Sequence, residues 1–95
     1  MGIRPRQRPQ RLAEKLLAIR NALGLSQAQT VKSLDAEEMI VPGQISEFET
    51  GKREPSLIVL LRYARLAGLC VDVLIDDDLD LPANLPAKSK HAQID

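Results

Sequence analysis

Residues 23–52, LGLSQAQTVKSLDAEEMIVPGQISEFETGK, contain the pattern from which the fold follows, two short helices joined by a connection. Ser26 with Gln29 three residues later fits a capping box, which predicts the start of one helix. Pro42 suits the first position of the next helix, and Gly51 is placed to end it. We therefore expect a second and a third helix on either side of an intervening segment.

That segment, residues 35–41 (DAEEMIV), allows two structures. It either extends the preceding helix to about Glu38 or forms a long turn, and its periodicity does not decide between them. Outside it, apolar residues at helical spacing predict three more helices. They cover about residues 10–23, residues 57–67 behind Ser56 as a cap, and residues 71–75 with Cys70 at the capping position.

The composition favours an all-α fold class. Phe48 and Tyr63 make up the 2% of aromatic residues, so the core must be aliphatic, which favours packed helices over a sheet. A chain of 95 residues has room for one domain. We expect that domain at residues 10–76, between a disordered basic arm at residues 1–9 and a disordered acidic, polar tail at residues 77–95.

The net charge of zero conceals an uneven distribution. Residues 1–34 contain seven basic residues and one acidic residue, whereas residues 35–95 contain six basic and twelve acidic residues. Such a division favours an anionic partner for the basic part and a solvated acidic tail. The aspartates at 76–80 lack the spacing of a calcium loop, so we interpret them as solvated, or as a mimic of DNA charge.

Several functions are disfavoured by what the sequence lacks. Cys70 is the only cysteine, so it forms no internal disulfide and no zinc site alone, and His91 is the only histidine. Without a catalytic triad, a glycine-rich phosphate loop or a metal cluster, we expect no enzyme, cofactor, metal or small-molecule substrate. No apolar run approaches the length of a membrane span and no signal segment follows the start, which predicts a cytoplasmic protein.

Two short helices followed by a basic loop are typical of a helix-turn-helix. The strings LGLSQ (residues 23–27), ISEFETGKREPS (residues 45–56) and LLRYARLAGL (residues 60–69) resemble the Cro and phage-repressor-like helix-turn-helix family. The resemblance covers about residues 10–75. It implies a five-helix, lambda-repressor-like domain whose third helix enters the major groove of double-stranded DNA.

The resemblance also implies roles for individual residues. The candidates for base reading, at the start of the third helix, are Gly43, Gln44, Ser46 and Glu47. The candidates for phosphate binding are Ser26, Gln27, Lys52, Arg53, Arg8 and Arg11. The arm arginines Arg4, Arg6 and Arg8 either enter the minor groove or stay solvated. Arg20 and Glu49 match a structural ion pair between the first and third helices.

The sequence departs from the family pattern in the longer segment 35–41 and at two sites of the third helix. Pro42 and Gly43 stand where relatives often carry base-reading side chains, so fewer direct contacts to bases are available, and Gln44 is a side chain that pairs best with adenine. Glu47 stands where a basic or amide residue is common. Its carboxylate either accepts a hydrogen bond from cytosine N4 or is repelled by phosphates.

The fourth helix is apolar nearly all round, as in helices that are covered on two sides. The expected core stripe is Leu57, Leu60, Leu61, Ala64 and Ala67. The second group, Ile58, Val59, Tyr63 and Leu66, would be covered by the last helix, by the tail or by another subunit. We favour a dimer or partner face there, because helix-turn-helix proteins commonly bind paired half-sites.

These features predict a sequence-specific DNA-binding transcriptional regulator that acts as a homodimeric repressor. The alternative is a protein-interaction module, such as an antitoxin that binds a toxin, in which the helix-turn-helix is only a scaffold. The acidic residues after Asp76 and the second apolar group of the fourth helix motivate this alternative.

Overall fold

The computed structural model describes residues 8–86, which form five α-helices. They are α1 (Leu12–Leu23), α2 (Gln27–Ser33), α3 (Pro42–Thr50), α4 (Leu57–Ala67) and α5 (Val71–Ile75). α1 packs against α3 and α5, α2 packs against α3, and α4 packs against α5. The predicted all-α class is confirmed. Within the described range, no helix has the length and apolar character needed to cross a membrane.

Local capping signals set most of the helix ends. Ser26 Oγ accepts a hydrogen bond from Gln29 N at 3.0 Å, and Gln29 Oε1 accepts one from Ser26 N at 2.8 Å, so the predicted capping box is present. Ser56 Oγ accepts a hydrogen bond from Val59 N at 3.2 Å at the start of α4. The glycines that follow α1, α3 and α4 adopt φ values of 71°, 81° and 77° and end these helices.

The segment between α2 and α3 is a turn and does not extend α2. α2 ends two residues before Asp35, which adopts a left-handed conformation with φ of 54°. Ala36 N then donates to Val31 O at 3.1 Å, and this closes the end of the helix. Ala36 is fully buried and Ile40 is 8% exposed. The turn brings these two apolar side chains into the core, and Arg62 of α4 holds it by donating to the Asp35 carbonyl.

The core combines aliphatic side chains from all five helices. Its most buried members include Leu16 and Ile19 of α1, Ile45 of α3, Val59 of α4 and Leu74 of α5, each at most 1% exposed. Full burial of such a side chain contributes about 1.5–3 kcal/mol. This packing fixes the orientation of α3 and leaves its other face at the surface.

Several residues of the segment 76–86 contact α1 or the residues just before it, whereas the sequence predicts a solvated tail from residue 77. The Asp77 carboxylate accepts hydrogen bonds from Gln10 N at 2.9 Å and from Arg11 N at 3.0 Å, and it caps α1 from a distant part of the chain. These backbone hydrogen bonds lower the pKa of the Asp77 carboxyl. Leu85 is buried, at 3% exposure. Its isolated position left no hydrophobic period in the sequence from which this packing could be predicted.

Lys15 of α1 fixes the start of the same segment. Its ammonium donates to the carbonyl oxygens of Val73 at 2.8 Å, Asp76 at 2.9 Å and Leu79 at 2.7 Å. The residue is only 2% exposed. Three donors therefore meet three acceptors, which is the full capacity of a lysine ammonium. Lys15 joins α1 to the end of α5 and to the chain that follows.

α4 buries Leu60, Ala64 and Ala67 of the expected core stripe, together with two side chains that the sequence assigned elsewhere. Val59 and Tyr63, assigned to a dimer or partner face, are 1% and 0% exposed within this chain, so the assignment is wrong for both. Leu66 is partly buried against the same core. Leu57, assigned to the core, is 82% exposed, and Ile58 is 50% exposed. Because α4 is apolar nearly all round, its periodicity does not reveal which side is covered.

Candidate nucleic-acid interface

α3 carries the candidate base-reading residues in its first turns. Its buried face carries Ile45 and Phe48, which are 0% and 3% exposed and hold the helix by its apolar side. Gly43 is exposed, and Gln44 and Ser46 are half-buried. Groups able to donate and accept hydrogen bonds therefore lie at the surface of the first turns of α3.

Gln44 also shapes the start of α3. Its Oε1 accepts a hydrogen bond from Val41 N at 3.0 Å, and this satisfies the backbone donor of the residue before the helix. The Nε2 group donates to no residue in the described range 8–86. A glutamine reads adenine by donating from its amide nitrogen and accepting at its oxygen. Gln44 retains both capacities, because its oxygen has a second lone pair.

Glu47 and Arg53, predicted to read a base and to bind a phosphate, are bonded to each other. Arg53 Nε lies 2.6 Å from Glu47 Oε1, and the two side chains are 53% and 40% exposed. The Glu47 carbonyl also accepts hydrogen bonds from Lys52 N at 3.0 Å and Arg53 N at 3.2 Å. The two residues are six positions apart across the end of α3, which is not a helical pairing distance, so the sequence did not reveal this bond.

Lys52 is the other cation of the loop after α3. Gly51, with φ of 81°, turns the chain out of the helix, and the exposed Lys52 follows it directly. Unlike Arg53, Lys52 makes no ion pair with any residue of the described range. An uncompensated cation releases a DNA counterion when it meets a phosphate, so the predicted role of Lys52 fits its surroundings.

The predicted phosphate contacts at the start of α2 are not tested by the geometry. The Ser26 hydroxyl and backbone N–H both belong to the capping box, so this residue has only its hydroxyl proton to offer a phosphate. Gln27 is the half-buried first residue of α2. Both residues lie on a helix that packs against α3.

Arg20 of α1 and Glu49 of α3 form a bidentate ion pair, as the resemblance implied. Arg20 Nε and Nη2 lie 2.6 and 3.0 Å from the two carboxylate oxygens of Glu49. The two side chains are 17% and 5% exposed. Arg20 Nη1 also donates to Leu25 O at 3.0 Å. The hydrogen bonds to Glu49 raise the pKa of Arg20 further. This arginine joins α1, the turn before α2 and α3.

Two arginines predicted to bind phosphate, Arg8 and Arg11, are paired with acidic side chains. Arg8 Nε lies 3.4 Å from Glu54 Oε2. Arg11 Nη2 lies 2.8 Å from Asp80 Oδ1, and its Nε lies 3.2 Å from Glu14 Oε2. Hydrogen bonding to Asp80 and Glu14 raises the pKa of Arg11. A phosphate would have to compete with these carboxylates. The other arm arginines, Arg4 and Arg6, lie outside the described residues.

The remaining reactive side chains do not form a site. In residues 8–86, no three side chains of histidine, cysteine, aspartate or glutamate are arranged to hold a metal ion. Cys70 is exposed at the residue before α5, and its thiol makes no capping hydrogen bond. His91 and the rest of residues 87–95 lie outside the described range.

The sequence and the fold were compared with those of known proteins. A family model described as helix-turn-helix matches residues 16–70 of the chain. The fold is similar to the crystal structure of the P22 c2 repressor protein in complex with synthetic operator 9T, with a TM-score of 0.61 and 25% sequence identity. That similarity covers 70% of this chain and 96% of that chain. Among curated proteins, none matches this sequence.

Proposed function

Because the chain belongs to the helix-turn-helix family of DNA-binding domains, which are not enzymes, we propose that it is a sequence-specific transcriptional repressor. The observation that carries the proposal is the start of α3, where the polar side chains of Gln44 and Ser46 remain partly exposed while Ile45 and Phe48 are buried. α3 enters the major groove of operator DNA, and these two polar side chains contact base edges. The protein acts in the cytoplasm.

Lys52 supplies the phosphate contact that positions α3. It leaves the end of α3 directly after the turn at Gly51 and has no carboxylate partner among residues 8–86. Phosphate contacts of this kind fix the register of a protein on the duplex without reading its sequence. Gln27, at the start of the neighbouring α2, adds a second such contact.

Variants of Gln44 and Lys52 test the proposal. Gln44→Ala is expected to change which sequence the protein prefers, because it removes a base contact. Lys52→Gln is expected to weaken binding to all sequences alike and to reduce the salt slope by about 0.9. Anisotropy of labelled DNA over a salt series measures both effects, with the upstream region of the gene and a scrambled duplex as probes.

Arg65→Gln is the control for lost positive charge. Arg65 is exposed in the last turn of α4, away from the loop after α3. The Arg65→Gln variant should bind DNA with an affinity and a salt slope close to those of the wild type. Equal losses on every duplex from Gln44→Ala would contradict the base-reading role. If the wild-type protein binds both probes equally, or binds neither, the proposed function as a sequence-specific repressor is contradicted.

A homodimer is part of the proposal. Leu57 and Ile58, at 82% and 50% exposure, are exposed apolar side chains at the start of α4. Leu57 follows Lys52 by five residues. A second copy that covers them sets two α3 helices on paired half-sites of one operator. In sedimentation experiments, the wild-type protein should dimerise and Leu57→Glu should not. A wild-type monomer, free and on DNA, would contradict this arrangement.

The alternative function is an antitoxin-type module that binds a partner protein, and both of its supports are weakened by the structure. The acidic residues after α5 that motivated it include Asp77 and Asp80, which are bonded to Gln10 and Arg11, just before α1. Of the apolar group on α4, Val59 and Tyr63 are buried, so the exposed Ile58 with its neighbour Leu57 is the observation that still favours it. A toxin-like partner that copurifies with the chain and is released by Leu57→Glu, together with no DNA binding, would select this alternative.

A further inference from the structure

The surface around α3 neutralises its own arginines. Arg53, in the loop after α3, is bonded to Glu47, and Arg8 of the arm is bonded to Glu54. Arg53 and Arg8 line one groove of about 240 Å³, which also contains Glu54. Lys52 has no such partner in the described range. The contact between α3 and DNA therefore starts with less free positive charge than the sequence suggests.

Resting on the proposed function, we propose that Glu47 determines specificity through Arg53. On DNA of the wrong sequence, Glu47 retains Arg53 and keeps it from the phosphates. On an operator that offers a cytosine N4 amino group to Glu47, the carboxylate accepts from the base and releases Arg53 to a phosphate. Base reading and phosphate binding are thereby coupled in one pair of side chains.

The geometry of the pair suits such an exchange. One Arg53 nitrogen, Nε, is engaged by Glu47 at 2.6 Å, and both side chains are about half exposed, at 53% and 40%. An exposed ion pair of this kind contributes little to stability, so a competing partner can replace either member. The backbone N–H of Arg53 donates to the Glu47 carbonyl at 3.2 Å, which keeps Arg53 beside α3 after its side chain is released.

The exchange discriminates because of what happens without cytosine. Moving Arg53 to a phosphate would then leave the Glu47 carboxylate unpaired in the negative field of the DNA. Arg53 consequently stays on Glu47, and the protein gains no phosphate contact from it. With cytosine present, both groups are paired after the exchange, Glu47 with the N4 amino group and Arg53 with the phosphate.

Glu47→Gln tests the first half of this mechanism on a labelled duplex of scrambled sequence. The variant frees Arg53, so binding should become tighter at low salt. The slope of log affinity against log salt should become steeper by about 0.9. Between about 50 and 200 mM salt, the affinity of the variant should therefore fall by a factor about 3.5-fold greater than that of the wild type. Glu47→Gln/Arg53→Gln should return the slope to the wild-type value, because the extra phosphate contact belongs to Arg53.

Asp72→Asn is the matched control, since it removes one negative charge from an exposed residue of α5, which packs against α1 and α4. It should not change the slope. If Glu47→Gln gives the same result as Asp72→Asn, the coupling is overturned. An equal steepening with and without Arg53 also overturns it, because Glu47 would then act by charge alone. Thermal melts of each variant show that it is folded.

Selection from a pool of random duplexes tests the second half. The wild-type protein should select a motif with cytosine at one position, preferred by about tenfold, and Glu47→Gln should accept other bases there. Identical motifs from both proteins overturn the proposal. If Lys52→Gln weakens binding while both Glu47 tests fail, the repressor function stands and this inference falls. If the wild-type protein binds no duplex, both fall.

Discussion

Two glutamates of α3 each form an ion pair with an arginine outside that helix, and the two pairs have the same Nε–Oε distance and different surroundings. Glu49 holds Arg20 and Glu47 holds Arg53, each at 2.6 Å. Since the two glutamates are two positions apart on a helix, they point to roughly opposite sides. The first pair is 17% and 5% exposed, arginine first, whereas the second is 53% and 40% exposed. Burial distinguishes the two pairs, and distance does not.

This difference in burial assigns the pairs to different tasks. Removing one member of a buried pair leaves a charge without solvent or partner, which is strongly destabilising. Removing one member of an exposed pair costs little, because water and salt compensate the other member. The Glu49 side of α3 is therefore part of the fold, and the Glu47 side is free to exchange partners.

Breaking the buried Arg20–Glu49 pair is expected to have the largest effect on stability. Glu49→Gln should lower the free energy of unfolding by about 3 kcal/mol, because Arg20 would keep its charge beside an amide that cannot balance it. Urea unfolding followed by circular dichroism measures the change. A loss below about 1 kcal/mol, the range of an exposed pair, would remove the contrast between the two sides of α3.

Lys15 extends the contrast to a buried cation bonded to neutral carbonyls. Lys15→Met should lower the free energy of unfolding by about 2 kcal/mol, since it leaves the carbonyls of Val73, Asp76 and Leu79 without their donor. The backbone amides of residues 76–86 should exchange hydrogen faster in the variant than in the wild type, with a smaller change in α3. Unchanged exchange in that segment would show that Lys15 does not hold it.

Asp77 predicts a pH dependence with a defined sign. Its pKa is lowered in the folded chain by the N–H groups of Gln10 and Arg11. Its contribution is therefore complete above the ordinary carboxyl pKa of 3.8 and is lost as the pH falls through the lower, folded value. Asp77→Asn should lower Tm at neutral pH, and the difference from the wild type should shrink in acid. A difference that stays constant with pH would exclude the carboxylate as its cause.

The exposed pair gives the smallest effect on stability. Glu47→Gln should change the free energy of unfolding by less than about 0.5 kcal/mol, in the same urea experiment that measures Glu49→Gln. A destabilisation comparable to that of Glu49→Gln would place both pairs in the fold and leave no partner free to exchange.

The helices were predictable because their signals are local. Ser26, Ser56 and the glycines that end α1, α3 and α4 act within a few residues of their own positions, and the structure has the helix ends that they indicate. The choice between helix and turn at residues 35–41 was not predictable in this way. The turn depends on burying Ala36 and Ile40 in a core formed by other helices.

The contacts that the sequence did not reveal join distant parts of the chain. Asp77 caps α1 across more than sixty residues, and Lys15 binds carbonyls that carry no sequence information. For α4, the aliphatic residues lie all round the helix, so the burial of Val59 and Tyr63 depends on tertiary packing, which includes the contact of α4 with α5. In the candidate site, the Arg20–Glu49 pair followed from family resemblance, whereas the Glu47–Arg53 bond required the geometry of the loop after α3.

The most direct test of the division between the two sides of α3 is a nuclear magnetic resonance titration of the arginine Nε–H signals with duplex DNA that carries the preferred sequence. Arg20→Lys and Arg53→Lys assign the two signals. The account predicts that the Arg53 signal moves as DNA is added, because its carboxylate partner is exchanged for a phosphate, while the Arg20 signal stays in place. Movement of the Arg20 signal with an unchanged Arg53 signal would contradict it.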